Sequence, residues 1–184
     1  DDALSGSRDI IAEIINEDQQ TRTILRDLFF NKGIIKSKVA TDKETEGAKY
    51  RDYFDWEESV SSVPSHRLLA MRRGEKEDIL NLTISPSEDE AIEILEKLFV
   101  KGEGEDSKQV ATAIKDCYKR LLSRSMETEV RLLSKEKADT EAIRVFSENM
   151  RQLLLAAPMG AKRVMAIDPG FRTGCKVACM DRQG

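Results

Sequence analysis

Near the end of the sequence, the stretch "RVMAIDPGFRTGCKVACMD" gathers Asp168, Gly170, Arg172, Thr173, Gly174 and Lys176. A carboxylate that ends a hydrophobic run beside a glycine-containing turn can supply a hard oxygen ligand to Mg²⁺ or Mn²⁺. Gly170 and Gly174 let backbone amides approach an anion, and Arg172, Thr173 and Lys176 carry donors suited to phosphate oxygens. The same residues also make an ordinary hairpin in which Asp168 is an ionised side chain near the turn. Spacing alone leaves both readings open.

Other chemistry-bearing residue types are sparse. His66 is the single histidine, so a two-histidine zinc site is excluded. It stands between Ser65 and Arg67 at the start of a helix pattern, with no nucleophile elbow nearby, and reads as a surface or helix-end residue rather than a catalytic base. Cys117, Cys175 and Cys179 match no zinc spacing and read as small apolar side chains in a reducing compartment. P-loop, dinucleotide-binding and EF-hand patterns are absent from the sequence.

Basic residues are unevenly spread. The chain carries 34 acidic against 30 basic side chains, a net charge of -4, which excludes a wholly basic nucleic-acid surface. Locally, "PSHRLLAMRRG" contributes Arg67, Arg72 and Arg73, and the C-terminal stretch contributes Lys162, Arg163, Arg172 and Lys176. These seven are the expected phosphate-contacting residues, with solvated or ion-paired arginines as the competing reading. Tyr50, Tyr53, Phe54 and Trp56, beside Lys49 and Arg51, offer faces for base stacking, but read more readily as a local core under a helical hairpin.

The elements that must position these groups are mainly helical. Ser5 or Ser7 is expected to cap a first helix with the stripe Ile10, Ile11, Ile14 and Ile15. Asp18 is expected to cap a second that ends at Gly33 in a C′ role. "IIKSKVA" reads as an extended connection, and Gly74 as the end of a helix begun near Ser65. "DILNLTIS" alternates as a strand, and Ser87 with Glu90 forms a capping box for the next helix. "KGEGEDS" is a linker. A helix from about Ser107 carries Val110, Ile114, Cys117 and Leu121, with a break expected around Lys135–Asp139. A last helix carries Ile143, Phe146, Met150, Leu153 and Leu154 and stops at Pro158.

Composition is consistent with this reading. Only 5% of residues are aromatic and 35% are charged, which favours helices over a sandwich. A chain of this length buries roughly 70% of its unfolded surface without disulfide or metal staples. No apolar run reaches the ~20 residues that span a bilayer, so a cytoplasmic protein without membrane contact is expected.

"AIDPGFRTGCKVACMD" resembles the opening of the YqgF/RuvC-like, ribonuclease-H-type domain in the Tex family of bacterial transcription accessory proteins. "SRDIIAEIINED", "EGAKYRDYFDWEE", "VPSHRLLAMRRGEKEDILNL" and "ENMRQLLLAAPMGAKRVMAIDPG" resemble, in collinear order, the segments that precede that domain. The resemblance implies a mainly α fold: a multi-helix central region over 1–158 with one short strand. Residues 159–184 would then be the β-hairpin that starts a truncated ribonuclease-H-like domain. Members of the family are several times longer, so a fragment is expected, without the rest of that sheet, the helix-hairpin-helix segments or the RNA-binding OB-fold domain. Asp168 then matches the first metal-binding carboxylate, and Mg²⁺ or Mn²⁺ is implied only for the intact YqgF-like domain. For the chain itself no cofactor and no catalysis are expected. The implied role is a non-catalytic scaffold in a nucleic-acid-binding transcription accessory protein, with nucleic acid and the transcription machinery as partners. The alternatives are part of a RuvC-like metal-dependent nuclease and, more weakly, a nucleotide-phosphate hairpin of the actin and sugar-kinase type.

Overall fold

The computed structural model describes residues 2–170 and 174–184, which divide into two compact units, Asp1–Arg144 and Val145–Gly184. In chain order the elements are α1 (Asp2–Glu17), α2 (Gln19–Lys32), β1 (Ile34–Val39), a 3₁₀ turn (Ala48–Tyr53), β2 (Asp55–Ser59), α3 (Ser65–Lys76) and β3 (Leu80–Ser85). Then follow α4 (Glu88–Phe99), α5 (Glu105–Cys117), a π turn (Tyr118–Leu122), α6 (Ser123–Leu154), β4 (Val164–Pro169) and β5 (Cys175–Met180). The fold is mainly helical and closes on a hairpin, as the sequence implies. Among the described residues no helix is long and apolar enough to cross a membrane.

The first unit is built on an antiparallel sheet of order β2-β1-β3, two strands more than the single one expected. β3 is the strand legible in "DILNLTIS", and Leu80, Leu82 and Ile84 turn one face inward. β1, expected as a mere connection, is the central strand. Its inward positions include Ser37, fully buried because its hydroxyl donates to the Tyr53 carbonyl at 2.6 Å. β2 replaces the expected helical hairpin. Tyr50 is buried and Tyr53, Phe54 and Trp56 pack partly buried on the core, so the aromatic cluster is a local core after all.

Helices cover the inner face of the sheet. Phe29, Leu25, Met71, Leu95, Ile114, Leu122, Met126 and Val130 are all fully buried within this one core. Removing side chains of this size from water contributes roughly 1.5–3 kcal/mol each. Caps fall where the sequence puts them at two helices: Asp18 accepts the Thr21 N–H at 2.7 Å, and Ser87 accepts the Glu90 N–H at 3.4 Å.

Several boundaries differ from expectation. α1 begins at Asp2, and Ser7 bonds back to the Ala3 carbonyl at 2.8 Å instead of capping. Its buried face is Ala12 and Ile15, while Ile10 and Ile14 are exposed. Gly33 follows α2 in an extended conformation, not a left-handed one. α3 runs through Gly74 to Lys76, because α3 crosses β3 so closely that a Cβ at Gly74 would lie 2.6 Å from Leu80 Cδ1. The expected break at Lys135–Asp139 is absent. Ser134 and Ala138 are buried there, so the weak apolar signal reflects small residues at a close contact.

In the second unit, β4 and β5 pair antiparallel from Val164↔Met180 to Pro169↔Cys175. Phe146, Met150, Leu153 and Leu154, at the end of α6, are all exposed.

Candidate metal-binding and nucleic-acid-contacting residues

The hairpin sets Asp168 by register. Asp168 stands directly opposite Lys176, with Oδ2 and Nζ 4.0 Å apart and both side chains more than three-quarters exposed. So exposed a pair contributes little to stability. Gly170 donates its N–H to the Gly174 carbonyl at 2.9 Å and closes the turn. Gly174 is left-handed, at φ 78°, a conformation that L side chains avoid. Arg172 and Thr173 lie outside the described residues.

The other nearby carboxylate is placed apart. Asp181 follows Met180, five positions along from the residue that faces Asp168, a separation of roughly 17 Å at strand rise. Its Oδ1 accepts the Gln183 N–H at 2.8 Å. Ligand oxygens must lie within about 2.0–2.6 Å of Mg²⁺ or Ca²⁺, so Asp168 and Asp181 cannot share an ion. Among the described residues no three histidine, cysteine or carboxylate side chains converge as a metal site. The donors present therefore do not fit a two-metal centre, and Asp168 stands as a single exposed carboxylate.

The hairpin's two faces differ chemically. Val164, Ala166, Asp168, Lys176, Ala178 and Met180 share one face. Met165, Ile167, Pro169, Cys175, Val177 and Cys179 share the other. Met165 and Ile167 are more than half exposed, so the apolar face has no cover within the described residues. At the open end Lys162 and Arg163 are exposed. Two-stranded hairpins of this kind are marginal alone in water.

The α3 arginines belong to the first unit. Arg67 donates to both carboxylate oxygens of Glu58, at 2.9 and 2.8 Å, and its guanidinium lies 4.8 Å from the centre of the Trp56 ring. Trp56 Nε1 in turn donates to Glu58 at 3.2 Å, and Tyr53 meets the indole edge-on. Arg72 pairs with Glu75, and its Nε is buried without a hydrogen-bond partner. Arg73, in the last turn of α3, is exposed, as is His66 in the first. Arg67 thus ties α3 to β2 and Arg72 is paired within its own helix turn, and Arg73 is the exposed α3 arginine.

Sequence reasoning missed the most connected polar group in the first unit. Arg131, on α6, donates to Glu75 at 2.7 Å, to Glu127 at 3.0 Å and to the Leu82 carbonyl. Glu127 also accepts the Ile84 N–H at 3.0 Å. The available signal was the spacing of Glu127 and Arg131, four apart on a helix with the acid first. On α5, Cys117 is fully buried with Sγ 3.1 Å from the Ala12 carbonyl, and burial pushes its thiol up to about 11. Burial likewise pushes Tyr118 up to about 12, with a smaller contribution from Glu88.

Comparison with known proteins gives a consistent result. The profile of a family described as Tex central region-like matches residues 1–146. The chain is 42% identical to uncharacterized protein YdcI of Bacillus subtilis, across 100% of this chain and 26% of that protein. It is 38% identical to the transcriptional accessory protein Tex of Neisseria gonorrhoeae, across 99% of this chain and 25% of that protein. Identity to S1 RNA-binding domain-containing protein 1 of Homo sapiens is 26%, across 94% of this chain and 19% of that protein. The chain spans about a quarter of the length of the bacterial relatives it matches.

Proposed function

The chain belongs to the Tex central region-like family, and from that premise we propose that it is a non-catalytic scaffold in a nucleic-acid-associated transcription accessory protein. The observation that carries this reading is the match of 99% of this chain to a quarter of a protein named transcriptional accessory protein Tex. A relative named for an S1 RNA-binding domain matches over nearly the same span. The interior of the first unit is consistent with a framework role. Its arginines at positions 26, 67, 72 and 131 are spent on intramolecular pairs between elements or within a helix turn.

In this reading the hairpin is the opening pair of strands of a ribonuclease-H-like, YqgF-type domain. Support comes from its uncovered apolar face and antiparallel pairing. Any Mg²⁺ or Mn²⁺ bound at Asp168 would need ligands from outside these 184 residues. Nucleic acid is contacted mainly by other parts of the longer protein, with Arg73, Lys162, Arg163, Arg172 and Lys176 adding weak phosphate contacts, in a cytoplasmic setting beside the transcription machinery.

The test is a binding titration of the longer protein with single- and double-stranded DNA and RNA at low salt, where phosphate contacts are strongest. Binding that weakens steeply with salt, and persists when Asp168 is changed to Asn, is the expected result. Failure to bind any of the four nucleic acids would remove the reading.

A further inference from the structure

The two outer edges of the β2-β1-β3 sheet are treated differently. On β3, the backbone groups that point away from β1 are occupied by α6: Leu82 O accepts from Arg131 and Ile84 N–H donates to Glu127. On β2 they are open. Val39 N–H donates to Phe54 O and Val60 N–H donates to Gly33 O, which fixes positions 54, 56, 58 and 60 as the ones facing β1. The alternation of an antiparallel ladder then turns the N–H and C=O of Asp55 and Glu57 outward. Neither residue's backbone has a hydrogen-bond partner on that side among the described residues.

We propose that the open edge of β2 accepts an extended segment of a partner protein in which Lys or Arg alternates with aliphatic residues. The chemistry follows from β1, which already satisfies the same strand from its other side. Lys36 faces Glu57, with a 3.0 Å ion pair, and Lys38 faces Asp55, while Ile35, Ser37 and Val39 turn to the opposite face. A strand added outside β2 meets the same alternation. Its basic side chains lie beside Asp55 and Glu57, with the exposed Asp52 in the turn before the strand, and among the described residues Asp52 and Asp55 have no ion-pair partner. Its aliphatic side chains lie on the face of Trp56 and the Arg67–Glu58 pair. Main-chain bonds then supply affinity and the alternating side chains specificity.

The test uses the 184-residue chain and an acetylated, amidated peptide with the sequence of positions 33–40, GIIKSKVA, as probe. On saturation, amide exchange at Asp55 and Glu57 is expected to slow at least tenfold. Glu57→Pro removes an outward N–H without touching the ladder to β1, so it should weaken peptide binding at least tenfold with an unchanged melting temperature. Paired reversal, Asp55→Lys with Glu57→Lys, should weaken binding at least tenfold as well, with a lower melting temperature because it sets lysines opposite Lys36 and Lys38. Absence of binding at millimolar peptide would overturn the proposal, as would equal binding of a peptide with its lysines adjacent, or affinity indifferent to Glu57→Pro. Amides of Asp55 and Glu57 already protected in the longer protein would overturn it too, by placing a segment of the same polypeptide on the edge.

Discussion

Glu127 accepts the backbone N–H of Ile84 at 3.0 Å, so a helix side chain stands where a fourth strand would otherwise bond to β3. One turn later Arg131 fills the neighbouring carbonyl of Leu82 and ties Glu127 to Glu75. Both side chains are more than two-thirds covered. Glu127→Ala leaves the Ile84 N–H and part of the Arg131 guanidinium unpaired, at about 1–3 kcal/mol. The loss should appear as a lower urea midpoint and faster amide exchange at Ile84. Arg131→Lys keeps the charge but loses the planar fork, so it should recover only part of what Arg131→Ala loses.

The three thiols should separate by reactivity. Cys175 and Cys179 are exposed, whereas Cys117 is buried and its thiol is held protonated up to about 11. Because the thiolate is the nucleophile, titration with a disulfide reagent at pH 8 should report two fast thiols in the folded chain and the third only in denaturant. Fast reaction of all three in native buffer would contradict the burial of Cys117.

Stability should fall in alkali. Cys117 and Tyr118 have folded values raised to about 11 and about 12, above their ordinary values of 9.0 and 10.0. Between the unfolded and folded values the native state holds more protons than the unfolded chain, so stability declines as pH rises. The contribution is fully present below pH ~9 and is lost as pH climbs through 11 and 12. Denaturation midpoints across pH 8–11 should show the decline, and Cys117→Ala with Tyr118→Phe should flatten it.

Gly74→Ala sets two effects against each other. Helix propensity favours alanine by about 1 kcal/mol. The new Cβ, however, meets Leu80 Cδ1 at 2.6 Å and Cγ at 2.9 Å, with Tyr50 Cδ1 at 3.3 Å, and Leu80 and Tyr50 are both core residues. Overpacking costs typically 1–3 kcal/mol, so the net change should be a lower melting temperature. A stabilised variant would mean that α3 can move off β3.

Asp168→Asn should leave the melting temperature of this chain unchanged within error, since its one partner among the described residues, Lys176, is 4.0 Å away across an exposed pair. Adding millimolar Mg²⁺ or Mn²⁺ should likewise produce no shift in either form. A metal-dependent shift present with Asp168 and absent with Asn would show that the hairpin already binds an ion.

Much of this was legible in the sequence where local chemistry acts alone. Asp18 and Ser87 were visible as caps because a side-chain oxygen two or three residues before a free N–H needs no tertiary context. β3 was visible because its alternation is strict. β1 escaped because its buried Ser37 breaks the apolar pattern, and only the carbonyl of Tyr53, sixteen residues away, makes that serine acceptable inside. β2 escaped because an edge strand carries charge. The seven basic candidates were visible as charge, but not as partners: that Glu58 takes Arg67 and Glu75 takes Arg72 is decided by how α3 lies beside β2 and within its own turn.

The π turn at Tyr118–Leu122 fits an extra residue into the junction of α5 and α6. Its effect is one of phase. Each residue advances an α-helix by about 100°, so everything from Ser123 to the end of the first unit owes its angular setting to the length of that junction. Deleting one residue there would swing Met126, Val130, Ser134 and Ala138 out of the core together and carry Glu127 and Arg131 away from β3. Lys119 and Arg120 are exposed and make surface ion pairs, with Glu88 and with Asp9 and Asp116, so changes of kind there cost little. Across the family, then, this junction should tolerate changes of spelling but not of letter count.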